Sequence, residues 1–594
     1  MGSTFGGINI LSRSLYAQQA GLDTVGHNIA NASTDGYSRQ RVNMVTVFPT
    51  GEVYGSRGQN QAGAGVAVGS IMRARDAFTD RQLWKESSTL GYSQTSSEAL
   101  SKMEDVFSEP SDTGVQTVLN KFWTAWQTLS TNASDSGART TVAQQGVAVV
   151  NTIQHAAQQL KDTVENINSA IELDVKSINQ ITSNIHTLNQ QIAFTEVGGN
   201  DHANDLRDSR DLLVDQLSKL VNISVQEDSS GKYTIKSGSL NLVNDSGHTE
   251  LSTATTIDPT FGYEVTKVTI ASNGSPVDFT NGEVKALLDS RDSSSTGIFA
   301  YMTSLDKVSK FLLQDFNSVH RSGYGTDNVS GRNFFGADSN TDYNGAGALA
   351  DGAWLNAITV NHEITDSAAG LAILAAKTAA NGMVVTASST NTDSEIPSVT
   401  VTGTYTGGST PTAVMVKVAS LDGLGKVSGI SYSTDGGTNW SSDVTGSSPY
   451  QLTLKGMTIN IDTSSLSAPA INNTYNFSLS TSNNASGDNA ILLGNSLKTD
   501  VSATLGNISL DAFYTSMIGG LGIQSQDAQR LYTNQQTVIN HLTNLRASTS
   551  GVNMDEEMTD MIRFQKGYNA AARVLTAMDE MLDKLINGTG VVGR

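Results

Sequence analysis

The sequence predicts a multidomain α + β protein. Discontinuous N- and C-terminal coiled-coil-like helices and a helical bundle enclose nested all-β or mixed middle domains. Three observations carry this. Apolar residues step by three and four at both ends of the chain, and alternate with polar residues in the middle. The eight prolines leave two long proline-free stretches, 111–258 and 470–594, which hold most of the helical pattern. At roughly 150 residues per domain, 594 residues give about four domains.

At the N-terminus, Ile8, Leu11, Leu15, Gln18, Leu22, Val25 and Ile29 form a stripe with one polar member. Gly6, Gly7, Gly21 and Gly26 each cost about 1 kcal/mol relative to Ala. The segment is therefore expected to be disordered in the monomer and helical on assembly. Turn-formers from Asn31 to Gly36 end it. Residues 51–69 are Gly-rich and read as an extended loop or short hairpin. Helices are predicted over 77–107 and 114–129, the second anchored by Phe122, Trp123 and Trp126.

The longest helix is predicted over 136–194. Leu160, Val164, Ile167, Ile171, Asp174, Ile178, Ile181, Ile185, Leu188 and Ile192 keep its rhythm with one polar exception. Val197 to Asn200 break it, and a shorter helix runs to Leu220. Asp201, Asp205, Asp208 and Asp211 have helical spacing rather than that of a calcium loop. They read as a solvated face paired with Arg207 and Arg210.

Composition shifts at Val221. Strands are predicted near 223–225, 233–235, 240–243 and 265–270, then a helical interlude over 284–319. Alternating strands return between 383 and 479 with a heavy Ser, Thr and Gly load. Helix resumes at 488–493 and over 505–546. The domain expectation is nested: terminal helices 1–35 and 551–594; a helical bundle, 36–220 and 487–550; a β-rich middle, 221–384 and 485–486; and an inserted β domain, 385–484.

The last segment is one amphipathic helix. Met554, Met558, Met561, Gln565, Tyr568, Ala572, Leu575, Asp579, Leu582 and Ile586 step by four and three. Phe564, Ala571, Met578 and Leu585 recur every seven residues beside them, so the apolar face is wider than a two-stranded seam needs. Asn553 with Glu556 suits a capping box. Such a helix needs a partner, and the N-terminal stripe offers one.

Charge and composition exclude several functions. The net charge of −20 argues against a nucleic-acid partner. With no cysteine there is no disulfide or thiol chemistry. The first ten residues hold no basic n-region, and no stretch approaches 18 apolar residues, so neither a signal peptide nor a membrane span is expected. His362-Glu363-Ile364-Thr365-Asp366 lacks the second histidine of a zinc-peptidase helix. No phosphate loop or nucleophile elbow occurs. The expectation is a non-enzyme without cofactor or metal.

Asn28-Ile29-Ala30-Asn31-Ala32-Ser33-Thr34-Asp35-Gly36-Tyr37-Ser38-Arg39 resembles the N-terminal signature of bacterial flagellar rod, hook and hook-associated proteins. Gly63 to Val68 with Ile71, Arg73 and Asp76 is similar to the next block of that family. Gly551 to Glu557 and Gln565 to Arg573 resemble its C-terminal block. The Gly36-Tyr37-Ser38-Arg39-Gln40 form and the long middle point to the member joining hook to filament. The Gly36–Gln40 block argues against flagellin. Asn28, Asn31, Gly36, Tyr37 and Arg39 carry the N-terminal resemblance.

The resemblance implies a structural, extracellular subunit exported through the flagellar type III pathway without a cleaved signal peptide. Its implied partners are copies of itself, hook protein, another hook-associated protein or filament subunits, and an export chaperone on the C-terminal helix. The expected assembly interface pairs Ile8, Leu11, Leu15, Leu22, Val25 and Ile29 with Met558, Met561, Tyr568, Leu575, Leu582 and Ile586. Alternatives are another flagellar axial protein (hook-associated protein 3, hook or filament type) or a surface adhesin using the inserted β domain.

Overall fold

The computed structural model describes residues 4–47, 63–107, 109, 111, 114–197, 202–366, 368–378, 386–388, 390–391, 395–403, 405–407, 411–479 and 486–587. Helix α1 (Thr4–Ala30) leads into an antiparallel hairpin, β1 (Gln40–Thr46) and β2 (Val66–Arg73). Four helices follow: α2 (Ala77–Phe107), α3 (Val115–Thr131), α4 (Ser136–Thr195) and α5 (Asn204–Leu220). The next sheet holds β3 (Ser224–Glu227), β4 (Tyr233–Ser237), β5 (Leu240–Asn244) and β6 (Gly247–His248) in chain order. A hairpin of β7 (Leu251–Ile257) and β8 (Glu264–Ile270) precedes α6 (Glu283–Asp292), α7 (Ile298–Phe311) and α8 (Asn317–Ser322). Two short helices, α9 (Trp354–Ala357) and α10 (His362–Thr365), close this part.

The inserted β region holds β9 (Thr386–Ala387), β10 (Ser398–Gly403), β11 (Thr412–Leu421), β12 (Val427–Ser433), β13 (Val444–Thr445), β14 (Tyr450–Leu454), β15 (Met457–Asp462) and β16 (Thr474–Leu479). Helices α11 (Asp488–Lys498), α12 (Leu510–Ser550) and α13 (Met554–Asn587) return to the start.

Helix α4 is the spine. Its 60 residues span about 90 Å at about 1.5 Å per residue. Asp135 caps it, accepting from the Ala138 amide at 2.7 Å. Along the stripe, Leu160, Val164, Ile167, Ile171, Ile178, Ile181, Ile185 and Ile192 are buried. Phe122 and Trp126 of α3 are fully buried against Phe316, Phe334 and Phe335, with Phe334 and Phe335 4.7 Å apart in an edge-to-face pair. Trp123 is only partly buried.

The inserted strands form two antiparallel sheets, ordered β13-β12-β11-β16-β9 and β10-β15-β14. Alternate residues such as Val414, Val416, Val418, Ile459, Ile461, Tyr475 and Phe477 point between the sheets and build a second core, separate from the helical one.

Several expectations are corrected. The interlude at 284–319 is helical as expected and divides into three helices; a π-helical turn, Leu312–Phe316, carries α7 into α8. The final body helix begins at Leu510 rather than 505, because 499–509 form turns with a bridge between Ser502 and Ile508. Strands β1, β6 and β7 had no counterpart in the sequence reading. Of the extended loop or short hairpin expected over 51–69, residues 51–62 lie outside the described residues, and Val66 onward is the strand that pairs with β1 in a hairpin. The break at 198–200 also lies outside them.

Of the aspartates of α5, Asp205 is exposed as expected, but Asp208 and Asp211 do not share its solvated face. Asp208 and Asp211 are buried, and their cations come from β2: Arg73 Nη1 donates to Asp208 Oδ1 at 2.7 Å and to Asp211 Oδ2 at 2.8 Å. Arg207 instead grips Glu196 and Glu227, while Arg210 turns inward over the Tyr233 ring. Helical spacing puts Asp208 and Asp211 on one side, but only the packing of the hairpin made that side interior. Asp201 lies outside the described residues.

Candidate assembly interface

Helices α1 and α13 lie antiparallel along one another: Gly7 approaches Met578, and Asn28 meets Glu557. Their glycines and open polar face make α1 a weak helix alone, so its continuity from Thr4 to Ala30 depends on packing against α13. Val25 is buried, and Ile8, Leu11, Leu15, Leu22 and Ile29 are half-buried. On α13, Met561, Leu575 and Leu582 are half-buried toward α1. Met558, Tyr568 and Ile586 are not; their exposures are 55%, 36% and 64%.

The inward row of α13 is instead Glu557, Phe564, Ala571 and Met578, the heptad recurrence beside the main stripe. Glu557 and Ala571 are buried and the other two half-buried. Only the recurrence of Phe564, Ala571 and Met578 could have signalled this from sequence. Glu557, a charge at the head of the row, carries no such signal.

The foot of the pair is a buried polar joint. Asn28 Nδ2 donates to Gln40 O and to Glu557 Oε2, each at 2.9 Å. Its Oδ1 accepts from the Gln40 amide at 2.9 Å and from Tyr37 Oη at 2.7 Å. Every polar group of the amide is therefore used. Arg39 Nε donates to Glu557 Oε1 at 2.5 Å, and its Nη1 to Glu556. The Arg39 amide donates to Ser550 O at 2.8 Å, tying the same residue to the end of α12. Burial works against the Arg39 charge, but Glu556 and Glu557 outweigh it and hold its pKa above the usual value. Burial, with Asp205, Asp208 and Glu557 nearby, pushes the Tyr37 hydroxyl up, so it stays a donor.

Asn31 closes α1, its Nδ2 donating to His27 O at 3.1 Å. Gly36 has φ +79, and a methyl there would lie 3.1 Å from Leu212 Cβ, so the turn accepts no ordinary side chain. Next to it the Ser38 amide donates to Asp208 Oδ2 at 3.0 Å. The signature residues thus join three elements: α1, the body helix α5 and α13. Burial raises the Asp211 pKa, but Arg75 and Arg73 more than offset this and hold it below the usual carboxylate range.

Among the described residues, no cluster of three His, Asp or Glu could hold a metal ion, and no helix is long and apolar enough to cross a membrane.

A chain whose two ends fold into one helical pair, locked to a helical body by its N-terminal signature, has the architecture of a flagellar axial subunit. Residues 100–335 match the flagellar hook-associated protein FlgK helical domain, 8–37 the flagella basal body rod protein family, and 544–588 the flagellar basal body rod FlgEFG protein C-terminal family. Flagellar hook-associated protein 1 of Bacillus subtilis is 31% identical over 619 residues, covering all of both chains. The protein of that name from Salmonella typhimurium is 27% identical, covering 98% of this chain and 99% of its own. The flagellar hook junction protein FlgK from Burkholderia pseudomallei shares the fold, with a TM-score of 0.54 over 79% of this chain and all of its own, at 17% identity. The chain belongs to the flagellar hook-associated protein 1 family, structural subunits of the bacterial flagellum at the hook–filament junction.

Proposed function

We propose that this chain joins hook to filament by packing its α1–α13 pair against the pairs of neighbouring copies. The observation that carries this is the split of the α13 apolar surface. One side is covered by α1, while Met554, Met558, Ile562 and Ile586 remain between 44% and 64% exposed on the paired helix. Ile8, Leu11, Leu15, Leu22, Val25 and Ile29 pair with Met561, Leu575 and Leu582 inside the chain; Met558, Tyr568 and Ile586 face the next copy. Hook protein lies on one side, and another hook-associated protein or filament subunits on the other. In this reading the terminal helices form the inner layer, the helical bundle contacts neighbours, and the inserted β domain, which has its own core, faces outward as a spacer. The protein works outside the cell as a non-enzymatic subunit without cofactor. It leaves unfolded through the flagellar type III pathway without a cleaved signal peptide, and a chaperone holds α13 until assembly.

Electron microscopy of cells lacking this chain, with flagellin assayed in the medium, tests the role. Bare hooks and shed flagellin are expected. Normal filaments would remove the junction role, and missing hooks would move it earlier in the axis.

A further inference from the structure

The residues that face each other across the two terminal helices follow a seven-residue repeat. On α1 Gly7, Gly21 and Asn28 face Met578, Phe564 and Glu557 of α13, and the same seven-residue spacing sets Ser14 opposite Ala571. Small meets large at Gly21, where an added methyl would lie 2.8 Å from Cδ1 and Cε1 of Phe564. A ring cannot yield there as a flexible chain can. Gly7 faces the tip of Met578 in the same way, and Gly567 faces Gln18 with the sizes exchanged. Asn28 ends the row with its buried 2.9 Å hydrogen bond to Glu557. Gly6 and Gly26, by contrast, have nothing within 4 Å of where a side chain would begin. The partner helix therefore shapes only two of the four N-terminal glycines.

We propose that the Gly21 notch filled by Phe564 and the Asn28–Glu557 hydrogen bond act as a register key, selecting one alignment of the two chain ends. The alternating stripe alone permits slippage, since apolar residues recur at every heptad. A slip of one heptad moves α13 by about 10 Å. In one direction it drives Phe564 onto Asn28; in the other it brings Phe564 to Ser14. Either way Asn28, Arg39 and Glu557 are parted while still buried. The register also sets where Met558 and Ile562 lie on the outer surface. That consequence rests on the proposed assembly, but the key itself does not.

The chain has no cysteine, so engineered pairs report register directly in the isolated full-length protein. Ser14→Cys with Ala571→Cys should form a disulfide at least tenfold faster than Ser14→Cys with Met578→Cys, which reports a one-heptad slip. Adding Gly21→Leu should cut the in-register rate at least tenfold, and adding Phe564→Ala to that variant should restore it. Gly26→Leu should leave the rate unchanged. An unchanged in-register rate in Gly21→Leu, or no restoration by Phe564→Ala, would overturn the key. The body's thermal transition identifies a variant that has simply unfolded, and the compensated variant then decides. Normal filaments in cells lacking this chain, with the register intact in the isolated protein, would refute the junction role and leave the key standing.

Discussion

Arg39 and Glu557 stand 518 residues apart in sequence, yet Arg39 Nε reaches Glu557 Oε1 at 2.5 Å with the two side chains only 7% and 1% exposed. Neither charge is solvated, so each depends on the other. Glu557→Ala leaves Arg39 with Glu556 and a longer ion pair to Asp560, and removes an acceptor from Asn28. The terminal pair is expected to lose about 3 kcal/mol, the lower end for breaking a buried pair because Glu556 remains. Hydrogen exchange of the α1 amides checks this. Protection equal to the parent's would show that the joint does not hold α1.

Leu575 and Leu582 lie half-buried toward α1. Leu575→Asp with Leu582→Asp places two charges in that contact and should abolish incorporation into the polymer. The inserted β domain, which has its own core, should keep its native thermal transition. Normal incorporation of the double variant would sink the pairing idea.

Met558→Asp with Ile562→Asp touches the outer side of the same helix, where exposures are 55% and 56%. This variant should keep the α1–α13 pair, seen as unchanged α1 protection, yet fail to assemble. The two double variants therefore separate pairing within a chain from packing between copies.

Gly26 faces open space. Gly26→Ala should stabilise α1 by about 1 kcal/mol through helix propensity alone. Gly21→Ala should destabilise it, because its methyl meets the Phe564 ring. Chemical denaturation followed through α1 compares the two, and equal effects would show that the ring yields.

Asp174 interrupts the apolar stripe of α4, and its Oδ2 is buried without a hydrogen-bond partner. Burial, with Glu283 adding to it and Lys219 opposing, pushes its pKa up to about 7. Unfolded, an aspartate titrates near about 3.9. The folded chain therefore holds the proton more tightly. This group's contribution to stability is complete below about pH 4 and is lost as pH rises through about 7. Asp174→Asn should match the parent at pH 4 and exceed it by roughly 1–2 kcal/mol at pH 8, after allowance for remaining solvent contact. Urea melts at both pH values decide; a pH-independent difference would rule out the buried carboxylate as its source.

Local pattern made much of this protein legible. The three-four rhythm marked α1, α4 and α13, and alternation marked β11, β15 and β16, because each reflects the period of its own backbone. The residues from Asn28 to Arg39 carried the family resemblance. What lay across from each face was not legible. Two neighbouring rows on α13 were both apolar, and only docking on α1 turned Phe564, Ala571 and Met578 inward and left Met558 outside. Asp208 and Asp211 looked like solvent-facing charges until β2 and the connection after it brought Arg73 and Arg75 over them. Glu557, an acid in the first turn of α13, became the partner of a buried arginine. Periodicity states which residues share a face. Which face is buried, and whether a charge there is matched, depends on elements hundreds of residues away that only the folded chain brings together.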